Sequence, residues 1–328
     1  MTTLPRRLRS GDQLRVIAPS RSLQIISDAV RVAAIDRLAS EFGVQVTFGA
    51  HVEESGPLDT GPVPGRVADL HAAFADPAVA GILTVVGGFH INQLLPYLDY
   101  KLIEANPKVL CGFSDITALQ HALLARTGLV TYSGPHFSTF GMREHNEATI
   151  EAFRGCLFDD APVTWQPAKS WTDDAWYDPT LVRPAPTPNE SGWWVLQPGT
   201  ATGRLAGGNL CTLNLLQGTP FWPDLDGTIL VVEDDFQSGP HDFDRNLTSL
   251  LQTGVAPRAV LIGRFQTASG VSRELLAHIV ATKPELSGVP VLANVDVGHT
   301  NPVYTFPIGG DCYLAADPGA VEIVLTRH

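Results

Sequence analysis

Residues 79–86 form a near-continuous apolar run that ends in Gly87-Gly88, and residues 109–111 form a shorter one that ends in Gly112. Runs without polar alternation belong to strands covered on both faces, and such strands occur in parallel sheets. Segments with a helical period lie between runs of this kind. Val30, Ala34, Ile35, Leu38 and Phe42 make one buried stripe within residues 27–42, and Ile116, Leu119 and Leu123 make another. With further strands at 14–18, 44–48 and 129–132, a helix at 66–75 and helical residues at 94–98, the alternation predicts a doubly covered α/β sheet. Residues 56–65, rich in Gly and Pro, read as a loop. Ligands of such a sheet sit beyond the carboxyl ends of its strands.

The texture changes at 159–198, where seven prolines and five tryptophans occur with little periodicity. Strand-like runs return at 228–232, 259–262 and 289–297, with helical stripes at 210–217, 243–251 and 275–280. We therefore expect an N-terminal domain over 1–160, a Trp/Pro-rich connector over 161–200 and a C-terminal α/β domain over 201–328. The net charge of −12 argues against a nucleic-acid groove or an anionic membrane surface as partner. No apolar run approaches 18 residues, and no signal peptide is visible, so a cytoplasmic location is expected. The four cysteines show no C-x-x-C, and Cys111 and Cys211 read as small buried hydrophobes, which suits a reducing compartment.

Within that frame Ser114 stands where a strand turns sharply into a helix. A serine there has its hydroxyl lifted above the sheet edge, while the next amide, that of Asp115, faces the place where an oxyanion would form. The second glycine of the usual G-x-S-x-G is Ile116 here. An activated serine needs a base, and the base needs an orienting acid. Glu233-Asp234-Asp235 closes an apolar strand, and His299 follows a strand and Gly298. The order Ser114, Glu233, His299 is nucleophile, acid, base. There is no G-x-G-x-x-G, no phosphate-cradling G-x-x-x-x-G-K-[ST] and no H-E-x-x-H. No metal or nucleotide cofactor is expected. An ordinary strand-to-helix loop, in a non-catalytic ligand-binding α/β protein, is the competing reading.

Four blocks of the sequence resemble the serine LD-carboxypeptidase family, which includes the murein tetrapeptide LD-carboxypeptidases and the microcin C immunity peptidases. They are Gly87-Gly88 with residues 94–99, then residues 112–119, then Gly207-Gly208-Asn209-Leu210 through residues 232–234, and last Gly298-His299 with Pro302 and residues 306–309. The resemblance implies an N-terminal flavodoxin-like parallel sheet carrying Ser114 as nucleophile. It implies a C-terminal domain with a barrel-like sheet carrying Glu233 and His299, an oxyanion hole from the amides of Gly88 and Asp115, and a homodimer. A glycine at 88 would also let a substrate carbonyl approach closely. The murein enzymes usually carry an arginine before the double glycine; Val86 stands there in this chain, with Phe89-His90 after it. The Leu-Leu-Pro-Tyr-Leu-Asp-Tyr run to Tyr100 and the Trp-rich connector are closer to the immunity branch. In that branch a connector tryptophan stacks on the substrate's nucleobase. Trp176 matches best by position and Trp194 second, with Asn209 and Phe89 as further substrate contacts. The implied substrate is a peptidyl or aminoacyl nucleotide of the processed microcin C type, with the L,D-bond of a murein tetrapeptide as the alternative.

Overall fold

The computed structural model describes residues 2–178 and 181–328. The apolar runs of the first half become β1 (Gln13–Ile17), β2 (Gln45–Phe48), β3 (Val79–Thr84), β4 (Val109–Gly112) and β5 (Thr131–Ser133). β3 and β4 are buried at every position, as their unbroken apolar sequence requires. All five run parallel, in the order β5-β4-β3-β1-β2. They are joined by α1 (Asp28–Phe42), α2 (Val63–Ala75), α3 (Tyr100–Ala105) and α4 (Ile116–Thr127), and α5 (Glu147–Leu157) follows. α1 begins where the Ser27 hydroxyl accepts the Val30 N–H and stops at Gly43 in the left-handed region, φ +67°.

Two local expectations change. α2 starts three residues early, inside the expected loop, because Pro64 in its first turn needs no amide partner. Residues 94–98 are not α-helical: they form 3₁₀ turns at Ile91–Gln93 and Leu95–Tyr97, and the helix begins only after Asp99 caps it through the Leu102 N–H.

The second half contains β6 (Val163–Trp165), a short ribbon of β7 (Ser170–Trp171) with β8 (Thr187–Pro188), β9 (Trp194–Gln197) and the long β10 (Gly199–Asn209). It continues with α6 (Leu210–Asn214), β11 (Ile229–Glu233), α7 (Pro240–Leu251), β12 (Ala259–Gly263), α8 (Arg273–Ala281) and β13 (Val291–Val295). β14 (Phe306–Ile308), β15 (Asp311–Asp317) and β16 (Ala320–Arg327) close the chain. Eight strands form one mixed sheet in the order β6-β16-β15-β10-β11-β12-β13-β9, with β10 to β13 parallel. Among the described residues no pairing joins β6 to β9. β14 crosses to the other sheet and adds an antiparallel sixth strand beside β5. Residues 161–200 thus supply β6 and β9, two edge strands of the second sheet.

α4, which follows Ser114, is fastened directly to β10. A Cβ at Gly208 would press on Thr117 of α4, and one at Gly207 would strike the Val231 carbonyl of the neighbouring β11, so glycines let β10 approach both elements. Gly207 donates its N–H to His121 Nε2 at 2.9 Å, and Asn209 donates its own to Thr117 Oγ1 at 3.1 Å. Because Nε2 accepts, the neutral ring carries its proton on Nδ1 and donates it to the Thr117 carbonyl at 2.9 Å.

Burial pushes this imidazole down to about 4. A histidine whose folded pKa lies below its unfolded one contributes full stability above about pH 6.5, and that contribution is lost as pH falls toward 4. The difference corresponds to about 3 kcal/mol. Asp234, raised to about 6 by burial, opposes this over part of the same range. The stability of the wild type relative to the His121→Gln variant should therefore fall by about 1.4 kcal/mol per pH unit as pH drops from 6.5 to 4. Urea unfolding at a series of pH values checks this, and parallel profiles would show that His121 is not the acid-labile joint.

Candidate active site

Ser114 sits between β4 and α4 with φ +62°, the left-handed region that a non-glycine residue occupies at a cost. Gly87, at the end of β3, faces it: a Cβ there would lie 2.9 Å from Ser114 Cβ and 3.0 Å from its Oγ. The Asp115 carboxylate, which is buried, turns away from Ser114. Its Oδ2 accepts from Ser20 Oγ at 2.5 Å and from the amides of His90 and Ile91 at 2.9 and 3.0 Å. This one carboxylate ties the loop after β1 to the loop after β3 beneath the serine turn.

The second sheet brings the other two groups. Glu233 is the last residue of β11, and His299 lies four residues beyond β13. Asp296 anchors that segment: it is buried, pairs with Arg264 at 2.7 Å, and accepts from the Trp193 indole at 2.8 Å. Glycines wall Glu233 closely, since a Cβ at Gly263 would lie 2.7 Å from Glu233 Cβ and one at Gly298 would lie 3.0 Å from its Cδ. His299 Nδ1 is 2.6 Å from Glu233 Oε2, and its Nε2 is 3.0 Å from Ser114 Oγ. A carboxylate can only accept, so the neutral ring holds its proton on Nδ1 and leaves Nε2 free to accept the serine O–H.

Burial by itself would push the His299 imidazole down. The charge and hydrogen bond of Glu233, with Asp235 and Asp234 behind, more than offset it and leave the group above its ordinary value. Asp234, beside Glu233, is raised to about 6, first by burial and then by Glu233. Among the described residues no protein acceptor takes the amide of Asp115 or of Gly88, so both N–H groups are available to a ligand. A Cβ at Gly88 would meet Ser20 Oγ first and would lie 2.7 Å from Arg21 Cγ. The steric demand at 88 therefore comes from Ser20 and the Arg21 stem together, and the glycine that leaves Ser114 uncovered is Gly87.

Beside His299 opens a cleft of about 810 Å3, lined among others by Phe113, His136, Trp176, Tyr177 and Phe236. Trp176 thus lies on this wall. Trp194 does not: it belongs to β9 and gives its indole N–H to Ser191 Oγ at 3.0 Å. Asn209 is buried, capping α6 through the Thr212 N–H and donating to Asp234 Oδ1 at 3.2 Å. Phe89 is 62% exposed and touches His90 edge-on. Cys211 is exposed rather than buried, because α6 turns it outward toward Asn209 Oδ1. Two cleft residues escaped the sequence reading. Arg21 follows β1, where the strand-end rule that singles out Ser114 would also have found it. His136, whose ring centre lies 4.4 Å from that of Phe113 and is tilted by 30° against it, carries no local signal. Among the described residues no helix is long and apolar enough to cross a membrane, and no three His, Cys, Asp or Glu side chains are grouped to hold a metal ion.

A parallel α/β sheet joined to a second sheet, with a hydroxyl, an imidazole and a carboxylate in a hydrogen-bonded row, is the architecture of a hydrolase. Residues 14–134 match the LD-carboxypeptidase N-terminal domain and residues 202–314 the LD-carboxypeptidase C-terminal domain. The chain belongs to the LD-carboxypeptidase family of peptidases. YocD of Bacillus subtilis, which carries the name of a carboxypeptidase, is 47% identical over 98% of this chain and 99% of its own. The crystal structure of an MccF-like protein from Bacillus anthracis superposes with a TM-score of 0.96 at 44% identity, covering 99% of this chain and 100% of that one. The microcin C7 self-immunity protein MccF of Escherichia coli is 32% identical over 87% of this chain and 85% of its own. MccF in complex with aspartyl sulfamoyl adenosine superposes with a TM-score of 0.89 at 26% identity over 99% of both chains.

Proposed function

We propose that this peptidase is of the serine type, with Ser114 as nucleophile, His299 as base and Glu233 as the group that orients the imidazole. The observation that carries this reading is the unbroken row from Glu233 Oε2 through His299 to Ser114 Oγ, at 2.6 and 3.0 Å. Ser114 Oγ attacks the scissile carbonyl carbon while His299 Nε2 takes its proton, and the amides of Asp115 and Gly88 hold the oxyanion. The C–N bond then breaks as His299 returns the proton to the leaving nitrogen. Water attacks the acyl-serine ester by the same route and restores the hydroxyl. In this reading residues 1–160 carry the nucleophile, residues 201–328 carry Glu and His, and 161–200 connect them. The enzyme works as a cytoplasmic homodimer without a metal or nucleotide cofactor.

The favoured substrate is an aminoacyl or peptidyl nucleotide, because an indole lines the cleft beside His299 and MccF is crystallised with aspartyl sulfamoyl adenosine. The second reading is a murein tetrapeptide, favoured by the family's domain descriptions. Purified protein offered both substrates should cut the aspartyl nucleotide analogue, whereas release of D-alanine alone would sink the first reading. Stacking of a base on an aromatic ring is worth about 1–3 kcal/mol. Trp176→Ala should then raise KM for the nucleotide substrate about 10-fold with kcat nearly unchanged. An unaltered KM would remove Trp176 from base recognition.

A further inference from the structure

The two candidate substrates differ in everything except one feature of the leaving group. A peptide ending in a free carboxylate, and a nucleotide joined through a phosphoryl-type amide, both carry an anion within one residue's reach of the scissile nitrogen, about 4 Å. Any site that serves either must meet that anion close to its oxyanion hole. The cleft walls are ill suited to this, since Asp173 and Asp235 line it, while Asp174 on the same wall is paired with Arg183 at 2.8 Å. Among the described residues lining the cleft, Arg21 is the one Lys or Arg.

Arg21 also lies in the required place. It follows β1 on the loop beyond the strand's carboxyl end, and its amide donates to the Gly87 carbonyl at 3.4 Å. Its Cγ and Cδ pass 2.7 and 3.2 Å from where a Gly88 Cβ would be, so the stem lies against the very peptide whose N–H is offered to the oxyanion. The guanidinium is parked on Asp59, with Nη2 3.0 Å from Oδ2, in a pair whose side chains are 36% and 56% exposed. A pair so open to solvent is weak and readily exchanged for a ligand anion.

We propose that Arg21 is the anion anchor of the site. It recognises the negative group on the leaving side of the scissile amide, a carboxylate or a phosphate-like group, through the planar fork that suits both. The inference rests on the hydrolytic reading given above and extends it from the reacting centre to the substrate's leaving half. It also gives Gly88 a second reason beside the nearer Ser20 hydroxyl: a side chain there would displace the arginine stem from the oxyanion donor.

The test is equilibrium binding to Ser114→Ala protein, with and without Arg21→Met. The probes are a murein tetrapeptide with a free carboxyl end, its carboxamide, and adenosine 5′-monophosphate. Removing the guanidinium should weaken at least one of the two anionic probes about 10- to 100-fold. It should leave the carboxamide within about twofold, and Arg21→Lys should recover part of the loss. An equal loss for the carboxamide, no loss for either anionic probe, or no binding of either to the parent protein would overturn the proposal. The hydrolytic reading fails separately: anion-selective loss at Arg21 together with no turnover of any substrate by the wild type would leave the anchor standing and the peptidase mechanism refuted.

Discussion

Replacing Ser114 by alanine should leave a folded protein whose kcat/KM is lower by about 10⁵- to 10⁶-fold, the scale on which nucleophile loss acts in triad enzymes. The hydroxyl has one hydrogen-bond partner among the described residues, His299 Nε2, so its removal takes away chemistry and little packing. The same variant should lose all labelling by a fluorophosphonate reagent, which requires the activated oxygen. Backbone conformation supplies an independent check. With φ +62° at this position, Ser114→Gly should be equally inactive yet more stable than Ser114→Ala by about 1 kcal/mol, because glycine adopts the left-handed region without a Cβ penalty. Retention of more than about 1% of activity in Ser114→Ala, well above the residual rate the oxyanion hole and binding alone supply, would assign the nucleophile elsewhere. Turnover and thermal melts of the three proteins measure both effects.

The residues most legible in the sequence were those whose chemistry stands at the carboxyl end of a buried apolar strand. Ser114 after β4 and Glu233 closing β11 are each marked by an unbroken apolar run that stops at glycine or at charge, and His299 follows a run broken only at Pro290, Asn294 and Asp296. Ligands gather at such strand ends, and the three side chains meet there in one hydrogen-bonded row. What stayed hidden depends on side-chain contacts across the chain. β10 carries glycines at 203, 207 and 208, which read locally as breaks in a strand. They are required because α4 and β11 press on that backbone, and no nearby residue announces it. The crossing of β14 to the other sheet is a long-range pairing of three residues. The connector's tryptophans look alike in sequence, but one lines the cleft, one holds Asp296 and one faces Ser191. Asn209 reads as a ligand contact in sequence, and the structure adds that its side chain caps α6 and gives one amide hydrogen to Asp234.

Glu233→Gln should lower kcat by about 10⁴-fold while leaving KM within a few-fold, the behaviour of a group that acts on the base rather than on the substrate. The direction of its pH dependence distinguishes this from simple misfolding. His299 must be neutral at Nε2 to take the serine proton, so kcat/KM rises with pH through the imidazole's titration. Burial pushes that titration down, and the Glu233 charge and hydrogen bond push it up past the ordinary value, with lesser help from Asp235 and Asp234. Removing the negative charge leaves burial opposed only by the two aspartates. The ascending limb should therefore move to lower pH even as the plateau falls. Asp235→Asn, further from the ring, should shift the limb in the same direction by less, with a much smaller loss of rate. A lower plateau with an unmoved limb would mean that the carboxylate orients the ring without setting its charge. A limb displaced to higher pH would contradict the electrostatic arrangement of the whole row.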